Sequence, residues 1–199
     1  MSKVIGITGG IASGKTTVVE EIRRAGYKVI DADQVVHDLQ AKGGRLYKIL
    51  VDWLGEGILN DNGELDRLKL AELIFSSPHY LKKSAQLQNP VIRQELSRRC
   101  EQMAQTENIF FMDIPLLIEQ DYIDWFDEIW LVYVEKGTQI QRLMARNGYS
   151  QEEANKRLAS QMPLIEKVAY ADAVIDNNGR LENLQKQVAQ LLKRCANVS

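Results

Sequence analysis

Eight residues near the start of the chain have the types and the spacing of a phosphate-binding loop. Residues 9–16 read GGIASGKT, which matches the pattern G-x-x-x-x-G-K-[ST] at each fixed position. Glycines let the backbone curl so that successive N–H groups point inward, and the helix that follows directs the positive end of its dipole there. Lys15 would supply an ammonium group for the β- and γ-phosphates, and Thr16 a hydroxyl for Mg²⁺. The pattern predicts a nucleoside triphosphate site; the alternative is a glycine-rich turn that binds nothing.

Two aspartates follow the second predicted strand. Asp31 and Asp33 are two residues apart, so both carboxylates face the same way if the strand continues to Asp33. A kinase needs a carboxylate at this edge of the sheet to accept the proton of the attacking hydroxyl. An aspartate at the start of a helix is equally a good N-cap, so both roles stay open for Asp33. His37 would position substrate, or be a half-buried histidine with a hydrogen-bond partner.

A third acidic position ends a hydrophobic strand. Residues 109–112 read IFFM and are followed by Asp113, which is a loose form of the acidic strand that orients Mg²⁺-bound water or the loop threonine. This signal is weak alone, because many buried strands end in aspartate. Pro115 then turns the chain, which brings Glu119 to the functional edge of the sheet.

Basic side chains collect in one later segment. Residues 136–170 contain six basic and three acidic residues in a chain of net charge −2. Arg142 and Arg146 are four apart and therefore share a helix face. Guanidinium groups that close over a transferring phosphoryl group stabilise its charge, and solvated surface arginines are the alternative. Asn177 lies in a DNNG loop that either packs against an adenine ring or is only a turn.

The elements that must position these residues alternate between strand and helix. Strands are predicted at residues 4–8, 27–31, 109–112, 129–134 and 173–176. This order predicts an α/β fold of three layers, with a parallel five-stranded sheet and the ligand site beyond the carboxyl ends of the strands. A helix closes the chain, and its predicted apolar stripe is Leu181, Leu184, Val188, Leu191 and Cys195.

Two stretches are too long to be simple crossovers, which predicts a core with two additions. The first has helix breakers at Pro78 and Pro90, with a new helix after Pro90, and is interpreted as a helical substrate-binding insert. The second has capping boxes at Thr138 and Ser150 and is interpreted as a hinged lid, or as two ordinary surface helices. The predicted boundaries are a core of 1–32, 107–135 and 171–199, an insert of 33–106 and a lid of 136–170.

Composition narrows the class of protein further. The chain has 199 residues, of which 45% are apolar, and 25 basic residues stand against 27 acidic ones. This balance predicts one soluble globular domain with no nucleic-acid or membrane partner. Two cysteines without a metal-ligand spacing and the lack of a signal peptide predict a cytoplasmic location. A guanine-reading N-K-x-D loop after a strand is missing, which argues against a GTPase.

Segments spread from residue 4 to about residue 192 resemble those of dephospho-coenzyme A kinases. They are ITGGIASGK at 7–15, DAD at 31–33 with His37, DR at 66–67, PVIR at 90–93, DIPLLIE at 113–119, QRL at 141–143 with Arg146, QMP at 161–163, Lys167, and AD at 171–172 before Asp176 and Asn177. The resemblance implies ATP-dependent phosphorylation of the ribose 3′-hydroxyl of dephospho-coenzyme A, the last step of coenzyme A synthesis. Asn89 departs from the pattern, since histidine is expected before Pro90.

The resemblance also implies roles for individual residues. Asp33, Lys15 and Arg142 would be catalytic. ATP would contact Gly10, Ile11, Ala12, Ser13, Gly14, Lys15, Thr16, Thr17, Arg142, Arg146 and Asn177. Dephospho-coenzyme A would contact Asp33, His37, Arg93, Leu116 and Glu119. Mg²⁺ would be held by Thr16, with Asp113 further from the ion.

Two other functions remain as alternatives to this reaction. A nucleoside or nucleoside monophosphate kinase would have a similar plan. A non-catalytic nucleotide-binding regulator would use the lid to signal to a partner. The expected partners are the small molecules ATP and dephospho-coenzyme A, and the expected state is a monomer or a weak homo-oligomer.

Overall fold

The middle strand of the sheet carries the chain directly into the phosphate-binding motif. In the computed structural model, which describes residues 2–196, this strand is buried over most of its length and pairs in parallel with a neighbour on each side. The strands are β1 (Lys3–Gly9), β2 (Val29–Asp31), β3 (Ile109–Asp113), β4 (Glu128–Tyr133) and β5 (Ala173–Asp176). Their order is β2-β3-β1-β4-β5, and every pairing is parallel. The predicted five-stranded parallel sheet is therefore confirmed.

The described residues form two compact units. Residues 2–31 and 103–196 make up the first unit, and residues 32–102 make up the second. The helices are α1 (Lys15–Arg24), α2 (Ala32–Gln40), α3 (Arg45–Leu54), α4 (Arg67–Phe75), α5 (Pro78–Met103), α6 (Lys136–Asn147), α7 (Gln151–Ala159), α8 (Leu164–Lys167) and α9 (Leu181–Ala196), with short 3-10 helices at Glu56–Ile58, Ile123–Trp125 and Val168–Tyr170. Within residues 2–196, no helix has both the length and the apolar character that a membrane crossing needs. The substrate-binding role of the insert and the lid role of residues 136–170 stay predictions.

The core of the first unit lies between the sheet and the helices α1 and α9. Strand side chains alternate between the two faces of the sheet, so Trp130 and Val132 pack in this core whereas Leu131 packs on the other face with Leu164. Phe111 contacts Trp130 edge-on, with ring centroids 5.2 Å apart. The predicted stripe of α9 is partly wrong: Leu192 is buried and Leu181 is exposed. A helix that starts at Leu181 has its first side chain beyond the edge of the sheet's core.

The second strand is shorter than its sequence predicts, and this changes the setting of the predicted base. β2 ends at Asp31, and α2 begins at the next residue, Ala32. Asp33 therefore lies in the first turn of α2, and it does not share a strand face with Asp31. The conditional expectation of two carboxylates on one strand face is wrong, because the buried side chains of Ala32 and Val35 already follow helical spacing.

Pro90 does not break the helix in which it lies. α5 runs without interruption from Pro78 to Met103, so the two predicted helices are one. Proline removes one backbone N–H, which leaves the carbonyl of Gln86 without its helical donor. Gln86 and Pro90 are both exposed, and water can hydrate that carbonyl. The predicted break is wrong because the missing bond falls on the solvent side of the helix.

Only one of the two predicted capping boxes is present. Ser150 and Glu153 cap α7 reciprocally, as predicted. The box at Thr138 is wrong, because α6 begins two residues earlier, at Lys136, with Glu135 as its N-cap. The Thr138 hydroxyl instead donates to the side-chain oxygen of Asn178, 3.3 Å away.

Candidate active site

The loop between β1 and α1 curls through two positive backbone angles. Ala12 has φ of 59° and Gly14 has φ of 85°. Gly14 is the N-cap of α1 and has no side chain to satisfy the first amides of that helix. Those N–H groups and the positive end of the helix dipole are therefore directed to one place, which is the arrangement that binds phosphate.

Two residues from the far end of the chain hold the carbonyl oxygens of this loop. Arg142 Nη1 donates to the carbonyls of Ala12 and Ser13 at 3.2 and 3.3 Å, and Asn177 Nδ2 donates to Ser13 at 2.8 Å. Arg142 Nη2 also donates to the Asn177 carbonyl at 2.8 Å. Because these carbonyls point toward the arginine and the asparagine, the structure brings two of the predicted ATP residues onto the loop.

Lys15 and Asp113 form an ion pair beneath the loop. Asp113 is 6% exposed at the end of β3, and it is the register partner of Ile7 on β1 and of Asp31 on β2. The Lys15 ammonium contacts Asp113 Oδ1. Thr16 is exposed in the first turn of α1. The aspartate thus keeps the lysine at the loop by an ionic contact that lies mostly out of water.

Two cavities border the loop within the first unit. One has a volume of about 640 Å³ and is lined by the predicted ATP residues Ala12, Gly14, Thr17, Arg142, Arg146 and Asn177, among others. Arg142 and Arg146 both line it, as their four-residue spacing predicts. The other, of about 600 Å³, is largely apolar and lies where Gly10 meets residues of α6, α7 and α8. Arg142, Arg146 and Asn177 line the first cavity with groups that can donate hydrogen bonds.

Glu119, which was predicted to contact substrate, contacts a buried lysine. Lys167 is fully buried, and its Nζ lies 2.8 Å from Glu119 Oε1. The same Glu119 oxygen accepts a hydrogen bond from the Met162 backbone at 3.2 Å. Leu116 is half-buried in the turn that follows β3. Glu119 therefore joins the turn after β3 to the segment that leads into α8.

The predicted acceptor residues Asp33, His37 and Arg93 belong to the second unit. Asp33 and His37 are exposed and lie one turn apart on α2, and Arg93 is half-buried on α5. Asp38 of α2 accepts from Arg99 of α5 at 2.8 Å, which ties the two helices together. Hydrogen bonds from Gln34 and then from Arg99 lower the pKa of Asp38.

The second unit has a cavity of its own. Its volume is about 400 Å³, and it lies between α4 and α5 with Arg67, Gln88 and Asn89 in its lining. Asn89, the residue that departs from the family pattern, is exposed there.

Sequence reasoning missed two residues that contact the loop. Gln139 of α6 donates to the Ile11 carbonyl at 2.7 Å, and Gln161 accepts from the Ile11 N–H at 3.0 Å. Gln161 carried a weak signal, because it belongs to the QMP segment of the resemblance. Gln139 carried none, since its partner is 128 residues away in the sequence.

The oxygen donors near the loop suit a hard divalent cation. Thr16 offers a hydroxyl and Asp113 a carboxylate, and Mg²⁺ in kinases takes one or two protein oxygens together with substrate phosphates. No group of three or more metal-ligating side chains occurs among residues 2–196. A cation bound mainly through phosphates needs no such group.

Comparisons with known proteins agree with one another. The family model described as dephospho-CoA kinase matches residues 3–183. A dephospho-CoA kinase of Streptococcus mutans serotype c is 66% identical over 197 residues, which cover 99% of this chain and 100% of that protein. The solved dephospho-CoA kinase of Campylobacter jejuni is 26% identical, with a TM-score of 0.77 and coverage of 99% of this chain and 98% of that one. A shikimate kinase of Bacteroides thetaiotaomicron, 15% identical with a TM-score of 0.53 and 98% of each chain covered, shares the fold.

Proposed function

Because the chain belongs to the dephospho-CoA kinase family, we propose which of its residues carry out the family's reaction. The family transfers a phosphoryl group from ATP to dephospho-CoA in the last step of coenzyme A biosynthesis. The observation that supports the proposal best is the loop of residues 9–16, whose carbonyls are held by Arg142 and Asn177 and whose amides begin α1. That arrangement binds the triphosphate of ATP.

Three kinds of group neutralise the charge of the triphosphate: the loop amides, the Lys15 ammonium and the Arg142 guanidinium. The inward amides and the Lys15 ammonium bind phosphate oxygens, and Asp113 keeps the lysine at the loop through their ion pair. A guanidinium has five N–H groups, and Arg142 uses some of them on the carbonyls of Ala12, Ser13 and Asn177. Its remaining donors bind the transferring group, while Arg146 lines the cavity for the nucleoside.

Thr16 would hold Mg²⁺ together with the phosphates, with Asp113 further from the ion. When bound, the ion neutralises charge on the β- and γ-phosphates. Thr16 supplies its hydroxyl from the first turn of α1, where the side chain is exposed. Asp113 is already engaged with Lys15, so it acts on the ion from further away.

Asp33 accepts the proton of the ribose 3′-hydroxyl as that oxygen attacks phosphorus. The residue lies two positions beyond the carboxyl end of β2, on the first turn of α2, and its side chain is exposed and accessible to a substrate. A positioned carboxylate that removes this proton contributes roughly 10²–10⁴-fold to the rate. His37, Arg93, Leu116 and Glu119 contact the acceptor in this proposal. Glu119 is held in place by its buried partner Lys167.

A coupled assay of ADP release with dephospho-CoA as acceptor tests the reaction, and the product is checked for a 3′-phosphate. Rapid phosphorylation of AMP or CMP without phosphorylation of dephospho-CoA would contradict the proposal, as would the absence of ADP release with every acceptor. The cytoplasmic location, and a monomeric or weakly associated state, remain predictions from the sequence.

The first prediction concerns the proposed base. Asp33→Asn is expected to lower kcat by roughly 10²–10⁴-fold while the affinity for ATP, measured by calorimetry, stays within about twofold. Asp52→Asn is the control, because it removes another exposed carboxylate from a helix of the same unit. Its kcat is expected to fall less than about threefold. Equal losses in the two variants would remove Asp33 from this role.

A further inference from the structure

The peptide groups on both sides of Ile11 are held by two glutamines from the segment that follows β4. Gln161 Oε1 accepts from the Ile11 N–H at 3.0 Å, and Gln139 Nε2 donates to the Ile11 carbonyl at 2.7 Å. Gln139 is 6% exposed, so its bond is made almost entirely out of water. The two bonds fix two successive peptide planes of the phosphate loop.

The residue after Ile11 is the strained point of the loop. Ala12 has φ of 59°, a left-handed conformation that costs a residue with a Cβ of the order of 1–2 kcal/mol. The Ile11 carbonyl belongs to the peptide plane before Ala12, and the Ala12 carbonyl belongs to the plane after it. Gln139 holds the first carbonyl and Arg142 holds the second. Both planes that define the conformation of Ala12 are therefore bound by side chains of α6.

The space around the loop is shaped for the glutamine. A Cβ added at Gly10 would lie 2.8 Å from Gln139 Nε2 and 3.2 Å from Leu164 Cγ. Any larger residue at position 10 would displace Gln139 from the Ile11 carbonyl. Gly10, which occupies a variable position of the motif, therefore leaves room for a side chain from 129 positions further along the chain.

We propose that Gln139 and Gln161 are positioning residues that hold the left-handed turn at Ala12 and so preset the amides that bind phosphate. Neither side chain is assigned a contact with ATP. The inference rests on the proposed role of residues 9–16 as the triphosphate site. It adds that the geometry of this site depends on hydrogen bonds of opposite polarity, one accepted by Gln161 and one donated by Gln139.

The opposite polarity gives a matched pair of variants. Gln161→Glu keeps an oxygen that accepts from the Ile11 N–H, whereas Gln139→Glu places an oxygen against the Ile11 carbonyl and removes the donor. Both variants place a carboxyl group beside the same residue, so each of them carries a change of charge near ATP. We expect Gln139→Glu to raise KM for ATP roughly 10-fold or more over Gln161→Glu, with KM for dephospho-CoA changed less than about twofold in both.

Hydrogen exchange at the Ile11 amide gives a readout that does not depend on activity. Gln161→Met is similar in size but has no acceptor, and it is expected to speed exchange of this amide by roughly 3–10-fold over the wild-type chain. Gln161→Glu is expected to restore slow exchange. If dephospho-CoA is not the acceptor, or if Asp33 is not the base, the same exchange pattern is still expected. The proposed function and the inference about the two glutamines can therefore fail separately.

Equal values of KM for ATP in the two glutamate variants would overturn the inference, because charge alone would then explain the loss. Unchanged exchange of the Ile11 amide in Gln161→Met would also overturn it. If Gln139→Glu does not fold, Gln139→Met replaces it, since it removes the donor without adding charge. In that variant a KM for ATP equal to the wild-type value is the contradicting result.

Discussion

The phosphate loop takes its side-chain partners from far along the sequence, whereas the long helix α5 carries ion pairs within its own turns. Gln139, Arg142, Gln161 and Asn177 contact the loop across separations of 128 to 164 residues. In α5, Glu95 pairs with residues three and four positions further on. The shape of the loop therefore depends on the packing of the whole first unit, while the two ion pairs of Glu95 need only the helix itself.

The largest expected effect on stability tests the importance of distant partners at a buried ion pair. Lys167→Met removes the partner of Glu119 from a fully buried position and leaves a carboxylate, 19% exposed, without its ammonium group. Breaking such a pair costs about 3–5 kcal/mol of the free energy of unfolding, measured by urea denaturation. The double variant Lys167→Met with Glu119→Gln is expected to recover much of this loss, because no unpaired charge remains.

The matched control for that variant is a lysine in the same segment. Lys156 pairs with Glu152 across one turn of α7, and both side chains are largely exposed. Lys156→Met is expected to change the free energy of unfolding by less than about 0.5 kcal/mol. Similar losses for Lys156→Met and Lys167→Met would contradict the comparison, because distant partners would then matter no more than local ones.

The strands and most helices could be predicted from the sequence, because the patterns that indicate them are local. A β-branched run before GGIASGKT predicts a strand, a loop and a helix, and the structure has them as β1 and α1. Ser150 and Glu153 predict the start of α7 for the same reason. Pro90 shows the limit of local signals, since its effect depends on whether the freed carbonyl of Gln86 faces water.

The candidate site could be predicted from the sequence only in part. The loop and Lys15 follow from one motif, whereas Gln139 was missed because nothing near it in the sequence marks its contact with Ile11. The contact between Glu119 and Lys167 has no signal in the sequence, because a turn at the edge of a sheet does not reveal which lysine will be buried beside it. Such pairings are set by how α6 and α8 pack on the sheet, which a linear pattern does not encode.

A smaller effect is expected when a single methyl group is added to the loop. Gly14→Ala places a Cβ against the Asn177 amide, at a residue whose φ is 85°. Gly26→Ala, the control, has φ of 94° but nothing within 4 Å of the added atom. Both variants bear the backbone strain of about 1–2 kcal/mol. Only Gly14→Ala displaces a distant partner of the loop, so we expect its affinity for ATP to fall roughly 10-fold, with that of Gly26→Ala unchanged.

Calorimetric titration with ATP separates the two glycine variants. The expected result is that both variants lose the same stability but only Gly14→Ala loses affinity for ATP. Crowding against Asn177 is then the cause that distinguishes them. If Gly26→Ala weakened ATP binding as much, the strain of a positive φ would suffice as the explanation. The distant contact at Ser13 would then have no measurable part in binding.

The smallest expected effect belongs to the local pairs of α5. Hydrogen bonds from Arg98 and then from Arg99 lower the pKa of Glu95 from 4.5 to about 2. A carboxyl whose pKa is lower in the folded chain stabilises it fully above pH 4.5, and this contribution is lost as the pH falls from 4.5 to 2. We expect Glu95→Gln to cost less than about 1 kcal/mol at pH 7, since Arg98 is half exposed.

A double-mutant cycle of Glu95→Gln with Arg98→Gln isolates that pair. Its coupling energy, from urea denaturation at several pH values, is expected to be positive at pH 7 and to vanish near pH 2. ATP affinity is expected to stay unchanged throughout the cycle, because both residues belong to one helix of the second unit. A coupling energy that is constant over this pH range would show that the pair does not depend on the ionised carboxylate. If ATP affinity falls as well, the ion pairs within α5 affect ATP binding at the phosphate loop, which is the opposite of what their spacing predicts.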